Sequence, residues 1–320
     1  MGTSAGPAPE NADRVVAPRP DVALSPVGSA SARRVRTGYL LLTPLVLLMV
    51  ALSLFPALYA YYMSVNHVLL SNIDQRRFVG LDNYASLVSD PAFLGSLLFS
   101  VVFALVTTAV EFVLGLGLAL LFNVIRRGRG IAISLLLLPM MVAPALFGIM
   151  YRLMLNDFIG VLTYYLGLFN ISTDTLVGTT LIVPVVMAID ILQWTPFVFI
   201  ILFTALQAVP SEITEAARAD GAGPWTLLRH ILFPFIVPAA AVALLIRGVD
   251  AFKAFDMIYV FTGGGPGQLT TTASIYIYKV AFDSSDVGRA NAASVILLLL
   301  LTPVLVVTMK YVLRSETQAT

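Results

Sequence analysis

Five ionisable residues stand in otherwise apolar stretches: Glu111, Asp190, Arg247, Asp250 and Lys253. Charges in such surroundings are costly, so they face a protein interior or an aqueous cavity rather than hydrocarbon. Arg247, Asp250 and Lys253 recur at every third position, so on a helix each meets the next on one face. Two readings fit: a self-neutralising intrahelical ion pair, or a polar patch that holds a solute. Asp190, Gln193, Trp194 and Phe197 show similar spacing and combine an acid, an amide and two aromatic rings. Sugars suit this mixture, because rings pack on the apolar sugar face while carboxylates and amides bond the hydroxyls. The other reading is a satisfied interhelical network with its aromatics turned to lipid. Glu111 is isolated among Val, Phe and Leu, which suits a bond to a neighbouring helix.

The groups that catalysis would need are missing. There is no G-x-x-x-x-G-K-[ST] phosphate loop, no His-Glu metal motif and no nucleophile constellation. The chain has no cysteine, which excludes disulfides and thiolate metal sites, and its two histidines, His67 and His230, are too few for a histidine cluster. Action driven by ATP would need an ATPase on another polypeptide.

Of the 320 residues, 58% are hydrophobic and 12% charged, and the mean hydropathy is +0.90. Soluble globular chains carry roughly a quarter charged residues, so this is an integral membrane protein. Six apolar stretches, at about 38–63, 93–122, 131–155, 177–206, 232–255 and 290–312, each reach the ~20 residues that cross the hydrocarbon core. The expected fold is an all-α polytopic bundle over 38–314. Its flanks are an N-terminal tail, 1–37, rich in Ala, Pro, Gly and Ser and expected to be disordered, and a short C-terminal tail, 315–320. The first stretch is longer than the apolar core of a cleavable signal peptide, so it reads as a retained helix.

Charge placement orients the spans. Arg33, Arg34, Arg36, Arg126, Arg127, Arg129, Arg218, Arg229, Lys310 and Arg314 fall on one side, against Arg76, Arg77, Lys279 and Arg289 on the other. By the positive-inside rule both termini are cytoplasmic. On the outer side, the segment around Phe78–Tyr84 is expected to lie along the surface, and the loop at 156–175 to carry a short interfacial helix. Pro139, Pro144, Pro184, Pro196, Pro234, Pro238 and Pro303 punctuate the later spans. They read either as ordinary membrane-helix prolines or as kinks along a path that opens and closes.

Between the fourth and fifth spans lies Glu215-Ala216-Ala217-Arg218-Ala219-Asp220-Gly221-Ala222-Gly223. Ser211 reads as its cap, Glu212 suits the first turn, and the alanines give helix propensity with low relief. Gly221, Gly223 and Pro224 read as the stop, which sets a helix at about 211–223. It is either a short connector or a helix pressed against another protein. Gly263-Gly264-Gly265-Pro266 cannot continue a helix, and reads as a tight outer turn or a docking loop for an external partner.

Glu215-Ala216-Ala217, Asp220-Gly221-Ala222, Ile231, Pro234 and Pro238 resemble the "EAA" signature of permease subunits of bacterial ABC importers. The Gly-Gly-Gly-Pro turn, the Phe78–Tyr84 segment and Gly288-Arg289-Ala290 are similar to the sugar-importing branch, the maltose/glycerol-phosphate type. The resemblance covers about residues 37–314. It implies the six-helix type I importer permease fold in a bacterial cytoplasmic membrane, amid lipid. It also implies a second homologous permease, two copies of an ABC ATPase that use ATP and magnesium, an extracytoplasmic solute-binding protein and a sugar-like substrate, with no nucleic acid. This chain itself binds no cofactor or metal and is not an enzyme. The resemblance assigns ATPase coupling to Glu215, Ala216, Ala217, Asp220, Gly221 and Ala222. It assigns substrate contact to Asp190, Gln193, Trp194 and Phe197, and to Arg247, Asp250, Ala251 and Ala254. The maltose type has uncharged residues where this chain has charges in the second group, so Arg247 or Lys253 meets an anionic substrate group or simply neutralises Asp250. An ion-gradient-driven secondary transporter using Asp190, Asp250 or Glu111, and a non-transporting scaffold, are the alternatives. Neither accounts as well for the small-residue helix.

Overall fold

The computed structural model describes residue 2 and residues 28–125, 127–169 and 176–317. The expected tail up to residue 27, Arg126, the outer-loop residues Asn170, Ser172 and Asp174, and the last three residues lie outside the described residues. The chain divides into two units, Met1–Ala57 and Leu58–Thr320. The first is helical from Gly28, within α1 (Gly28–Ser64), so the helix begins before the expected residue 38. Its Leu42–Ser64 segment is long and apolar enough to cross a membrane.

The second unit opens with an antiparallel hairpin of β1 (Asn66–Leu69) and β2 (Asn72–Phe78), in which Asn66 faces Phe78. The sequence reading had no strands there, because β2 is exposed along its whole length and leaves no alternating apolar face to read. Helices follow: α2 (Asp82–Val88), α3 (Pro91–Val124), α4 (Arg129–Met141), α5 (Pro144–Met154), α6 (Val161–Leu168) and α7 (Ile182–Gln207). Then come α8 (Ser211–Ala219), α9 (Pro224–Leu227), a π turn over Leu228–Leu232, α10 (Phe233–Phe252), α11 (Asp256–Thr262), α12 (Ala273–Phe282) and α13 (Val287–Thr317). Among the described residues five helical segments are long and apolar enough to span, or six if the bent pair α4–α5 is one span.

The core of this unit is α3 packed along α7, with α10 against both. Phe103, Phe199, Leu202 and Ile236 are fully buried, and the Phe122 and Phe199 rings meet edge to face at 5.4 Å. In a bilayer such shape complementarity, rather than escape from water, holds helices together.

One of the expected spans is not continuous, and another ends in irregular backbone. The third bends by 91° between α4 and α5, where Val142 and Ala143 are extended and Pro144 starts the new helix. The fifth runs unbroken as α10 and ends, close to its expected limit, in irregular backbone at Lys253–Phe255 before α11. Irregular backbone at membrane depth is tolerated where protein buries it or a cavity adjoins it. Both conditions are met. Gln193 Nε2 on α7 donates to the freed Val142 carbonyl at 2.9 Å. Thr272 Oγ1 donates to Ala254 O at 2.8 Å and Ser274 Oγ to Lys253 O at 3.0 Å. Gly148 on α5 lets the α11 backbone approach: a Cβ there would sit 2.6 Å from Met257 O.

Candidate functional site

Three core helices each contribute one buried charged side chain at a common level. Arg247 of α10 is 2% exposed and Glu111 of α3 is 0% exposed. The Arg247 Nε donates to Glu111 Oε2 at 2.7 Å and its Nη2 to Oε1 at 2.9 Å, a bidentate pair. The same Nη2 donates to Asp190 Oδ2 of α7. Asp250, expected to be the main partner of Arg247, is the outlying one, with its Oδ2 3.9 Å from Nη1. Lys253 Nζ lies 3.4 Å from Asp250 Oδ1. Glu111 is therefore part of this network: it makes the expected bond to a neighbouring helix, and its partner is Arg247. The available signal was chemical: an acid buried at that depth needs a cation, and Arg247 is the cation at matching depth.

Beside the network lies a cavity of about 280 Å³. Asp190, Trp194, Arg247, Asp250 and Ala254 line it together, joined by Lys253 and by Pro144, Phe255 and Asp256 at the two helix breaks. The Arg247 guanidinium carbon sits 5.3 Å from the Trp194 ring centroid, a cation–π contact. Three of the expected contact residues do not line the cavity. Gln193 is fully buried and spent on Val142, and its Oε1 has no partner among the described residues. Phe197 packs edge-on against Trp194 at 6.3 Å, next to the α3–α7 core. Ala251 is buried in the core beneath, with Met257 and Ile258. Among the described residues no cluster of three or more His, Asp or Glu side chains could hold a metal ion.

Behind the cavity the glycine-rich turn is pinned by threonines. Thr262 and Thr270 share a hydroxyl–hydroxyl bond of 2.7 Å, Thr270 Oγ1 donates to Gly265 O and Thr271 Oγ1 to Gly264 O. Gly263 ends α11 in the left-handed region, while Gly264 is buried and Gly265 and Pro266 are half-buried. The turn thus buttresses the α10–α11 break through Thr272.

Between α7 and α10 in sequence, α8 has Glu215 and Ala216 exposed and Ala217 packed against the α3–α7 core. Pro210, not Ser211, occupies the cap position, and no side chain caps the helix; Ser211 is its first residue and accepts from Thr214 Oγ1. The C-terminal end is a Schellman motif: Ala222 N donates to Ala217 O at 2.9 Å and Gly221 N to Arg218 O at 3.0 Å. Gly221 has φ +85°, a conformation that a side chain disfavours.

A second polar cluster ties the ends of α3, α12 and α13. Asp90 caps α3 by accepting from Ala92 N at 2.9 Å. Its Oδ2 accepts from the Tyr276 hydroxyl and from Arg289 Nη2, each at 2.6 Å. Partial burial pushes the Asp90 carboxyl up, but the Tyr276 and Ala92 bonds and the Arg289 charge outweigh it and hold the group below its ordinary 3.8. Burial, and then the bond to Asp90, push the Tyr276 hydroxyl above its ordinary 10.0, so it stays a donor.

Residues 25–314 match the family described as "binding-protein-dependent transport system inner membrane component". The chain belongs to that family. It is the membrane permease subunit of an ABC importer, and such subunits transport rather than catalyse. The permease is 32% identical over 280 residues to the trehalose/maltose transport system permease protein MalF of Thermococcus litoralis, covering 87% of this chain and 94% of that one. It is also 32% identical to the trehalose transport system permease protein SugA of Mycobacterium tuberculosis, over 85% and 87% of the two chains. The sn-glycerol-3-phosphate transport system permease protein UgpA of Agrobacterium fabrum is 32% identical, over 82% and 89%. In fold, the permease matches a chain from the crystal structure of a bacterial ABC transporter involved in the import of the acidic polysaccharide alginate, with a TM-score of 0.76 at 19% identity over 89% and 98% of the chains.

Proposed function

We propose that this permease forms one half of the path by which an ATP-driven importer moves a sugar, a polyol or a sugar derivative across the membrane by alternating access. The observation that carries the reading is the cavity where two broken helices meet a buried ion network. It offers an aromatic ring, Trp194, beside accessible oxygen acceptors, Asp250 foremost, as hydroxyl-rich solutes require. Trehalose, maltose and sn-glycerol 3-phosphate, for which the relatives are named, belong to this class.

The remaining parts follow the same reading. Asp190, Trp194, Arg247, Asp250 and Ala254 surround the solute, while Gln193, Phe197 and Ala251 support them from behind. Exposed α8, which ends at Ala219 rather than at the expected 223, and the turn that closes it form the coupling element, with Glu215, Ala216, Ala217, Asp220, Gly221 and Ala222 seated in a partner ATPase, on the cytoplasmic side with both termini. Two ATPase copies supply hydrolysis of magnesium-bound ATP, a second homologous permease completes the path, and an extracytoplasmic binding protein docks near Gly263–Pro266 and delivers the solute.

The test is to purify the solute-binding protein encoded beside this permease and titrate it calorimetrically with mono-, di- and trisaccharides, polyols and glycerol phosphates. ATP-dependent uptake of the ligand is then measured in proteoliposomes that hold the complete complex. Saturable binding of one class member, with uptake that needs ATP, is the expected result. Uptake driven by a proton or sodium gradient without the ATPase subunits would overturn it.

A further inference from the structure

The buried network sets the charge that the cavity presents. Arg247 carries five N–H donors. The Nε donor and both Nη2 donors are committed to Glu111 and Asp190, and Nη1 faces Asp250. With 2% of its side chain exposed, Arg247 has no free fork with which to clasp an anion. The other cation, Lys253, is 56% exposed but stands 3.4 Å from Asp250. Three carboxylates, those of Asp190, Asp250 and Asp256, line the cavity with two cations, and the carboxylate of Glu111 lies behind Arg247. Asp250, with 41% of its side chain exposed, is left as an accessible acceptor.

The geometry points to a site for an uncharged polyhydroxy solute that rejects the phosphate ester of the same solute, with Glu111 as the residue that sets this preference. The inference rests on the sugar or polyol reading above and chooses within it. Hydroxyl groups donate to Asp250, and an apolar sugar face lies against Trp194. A phosphate monoester brings about −1.5 to −2 of charge to a pocket already in anionic excess. The charges of buried Glu111 and Asp190 are screened less than those of exposed Asp250 and Asp256, so their part of that repulsion persists in salt. Glu111 does not line the cavity and touches no solute; it acts through Arg247, by taking up the bidentate edge of the guanidinium that would otherwise bind a phosphate. It is a positioning residue for specificity. Its carboxylate on α3 is far in sequence from the residues that line the site, which hides the role from any reading of α10 alone.

The experiment uses the complete complex of this permease, its second permease and the ATPase subunits, held in lipid nanodiscs without the binding protein. Equilibrium binding is measured for two matched pairs: trehalose with trehalose 6-phosphate, and glycerol with sn-glycerol 3-phosphate. In the wild type the better-bound pair is expected to show the phosphorylated member at least about tenfold weaker. Glu111→Gln removes one carboxylate charge and loosens the hold on Arg247, so this ratio is expected to shrink. A merely structural role for Glu111 would weaken both members alike and leave the ratio unchanged. Exposed Asp256→Asn alters the same charge balance without touching the buried network, and is expected to move the ratio in the same direction. Equal or tighter binding of the phosphorylated member by the wild type overturns the inference while leaving the sugar or polyol reading intact. An unchanged ratio in Glu111→Gln also overturns it, whatever Asp256→Asn does. Failure of every sugar, polyol and glycerol phosphate to bind either the complex or its binding protein is the different result that overturns the underlying reading.

Discussion

Arg247 is held by carboxylates from two neighbouring helices, and the energetic asymmetry of such a group is large. Removing the cation leaves Glu111 and Asp190 buried and unpaired, at a cost of about 3–5 kcal/mol. Arg247→Ala is therefore expected to lower the thermal unfolding temperature of the solubilised complex markedly. Lys253→Ala, at a side chain 56% exposed, is expected to change stability by about 0–1 kcal/mol. Similar small shifts for both variants would mean that the network does not hold α3, α7 and α10 together. Gln193 permits a second comparison. Gln193→Leu keeps the bulk but strands the Val142 carbonyl, which costs about 1–3 kcal/mol. Faster amide exchange confined to the α4–α5 break is the expected sign; unchanged exchange would show that the bond does not secure it. The residue types at the cavity were legible in the sequence, since intramembrane acids, a cation and a tryptophan announce themselves. Their partners were not. Helical spacing relates Arg247 to Asp250, three residues on, but is silent about Glu111 on another helix.

At the scale of elements, the spans were legible where apolar runs are long, and misread where two short helices share one run. The stretch 131–155 looks continuous in hydropathy, yet Val142 and Ala143 are extended, and at Ala143 the cause is Pro144, which biases the residue before it away from helix. Proline alone does not decide such a break: Pro139 and Pro196 sit inside helices. Tertiary partners do, here Gln193 at one break and Thr272 and Ser274 at the other. The α8 end was better written, because its stop depends on local chemistry. Gly221 takes φ +85° and closes a Schellman motif over Arg218 and Ala217. A nine-residue helix is marginal by itself and gains stability from what it packs against. Gly221→Asp forces a side chain into the left-handed region at a cost of about 1–2 kcal/mol and adds a charge beside Asp220. The variant is expected to keep the thermal stability of the spans while importing less solute per ATP hydrolysed. Normal uptake at a normal hydrolysis rate by a correctly assembled complex would refute the coupling role of α8.

Across the whole membrane unit, polar ties occur at two levels: the Arg247 network in the core, and Asp90 with Tyr276 and Arg289 at the start of α3. The second tie joins residues 90, 276 and 289, so it closes long loops of chain and couples the approach to α3 with both ends of the α12–α13 corner. It also gives the assembly an acid limit. The Asp90 carboxyl is held below its ordinary 3.8 in the folded protein, so folding favours the deprotonated form. The stabilisation is therefore complete at pH values above the unfolded value and is lost as pH falls through the lower, folded one. Stability measured by thermal unfolding in detergent is expected to be insensitive to this group between pH 7 and pH 5 and to decline below about pH 4. Asp90→Asn removes the titration together with the counter-charge that pairs with Arg289. It is expected to be less stable than the wild type at pH 7 and to lose part of the acid-dependent decline, so that the two profiles converge at low pH. Parallel profiles at all pH values would assign the acid sensitivity to other carboxylates. Amide exchange separates the clamp from the core: at pH 3.5 the ends of α3, α12 and α13 are expected to open before the segments around Glu111 and Arg247. Simultaneous opening of both levels would show that the clamp and the core network unfold as one cooperative unit.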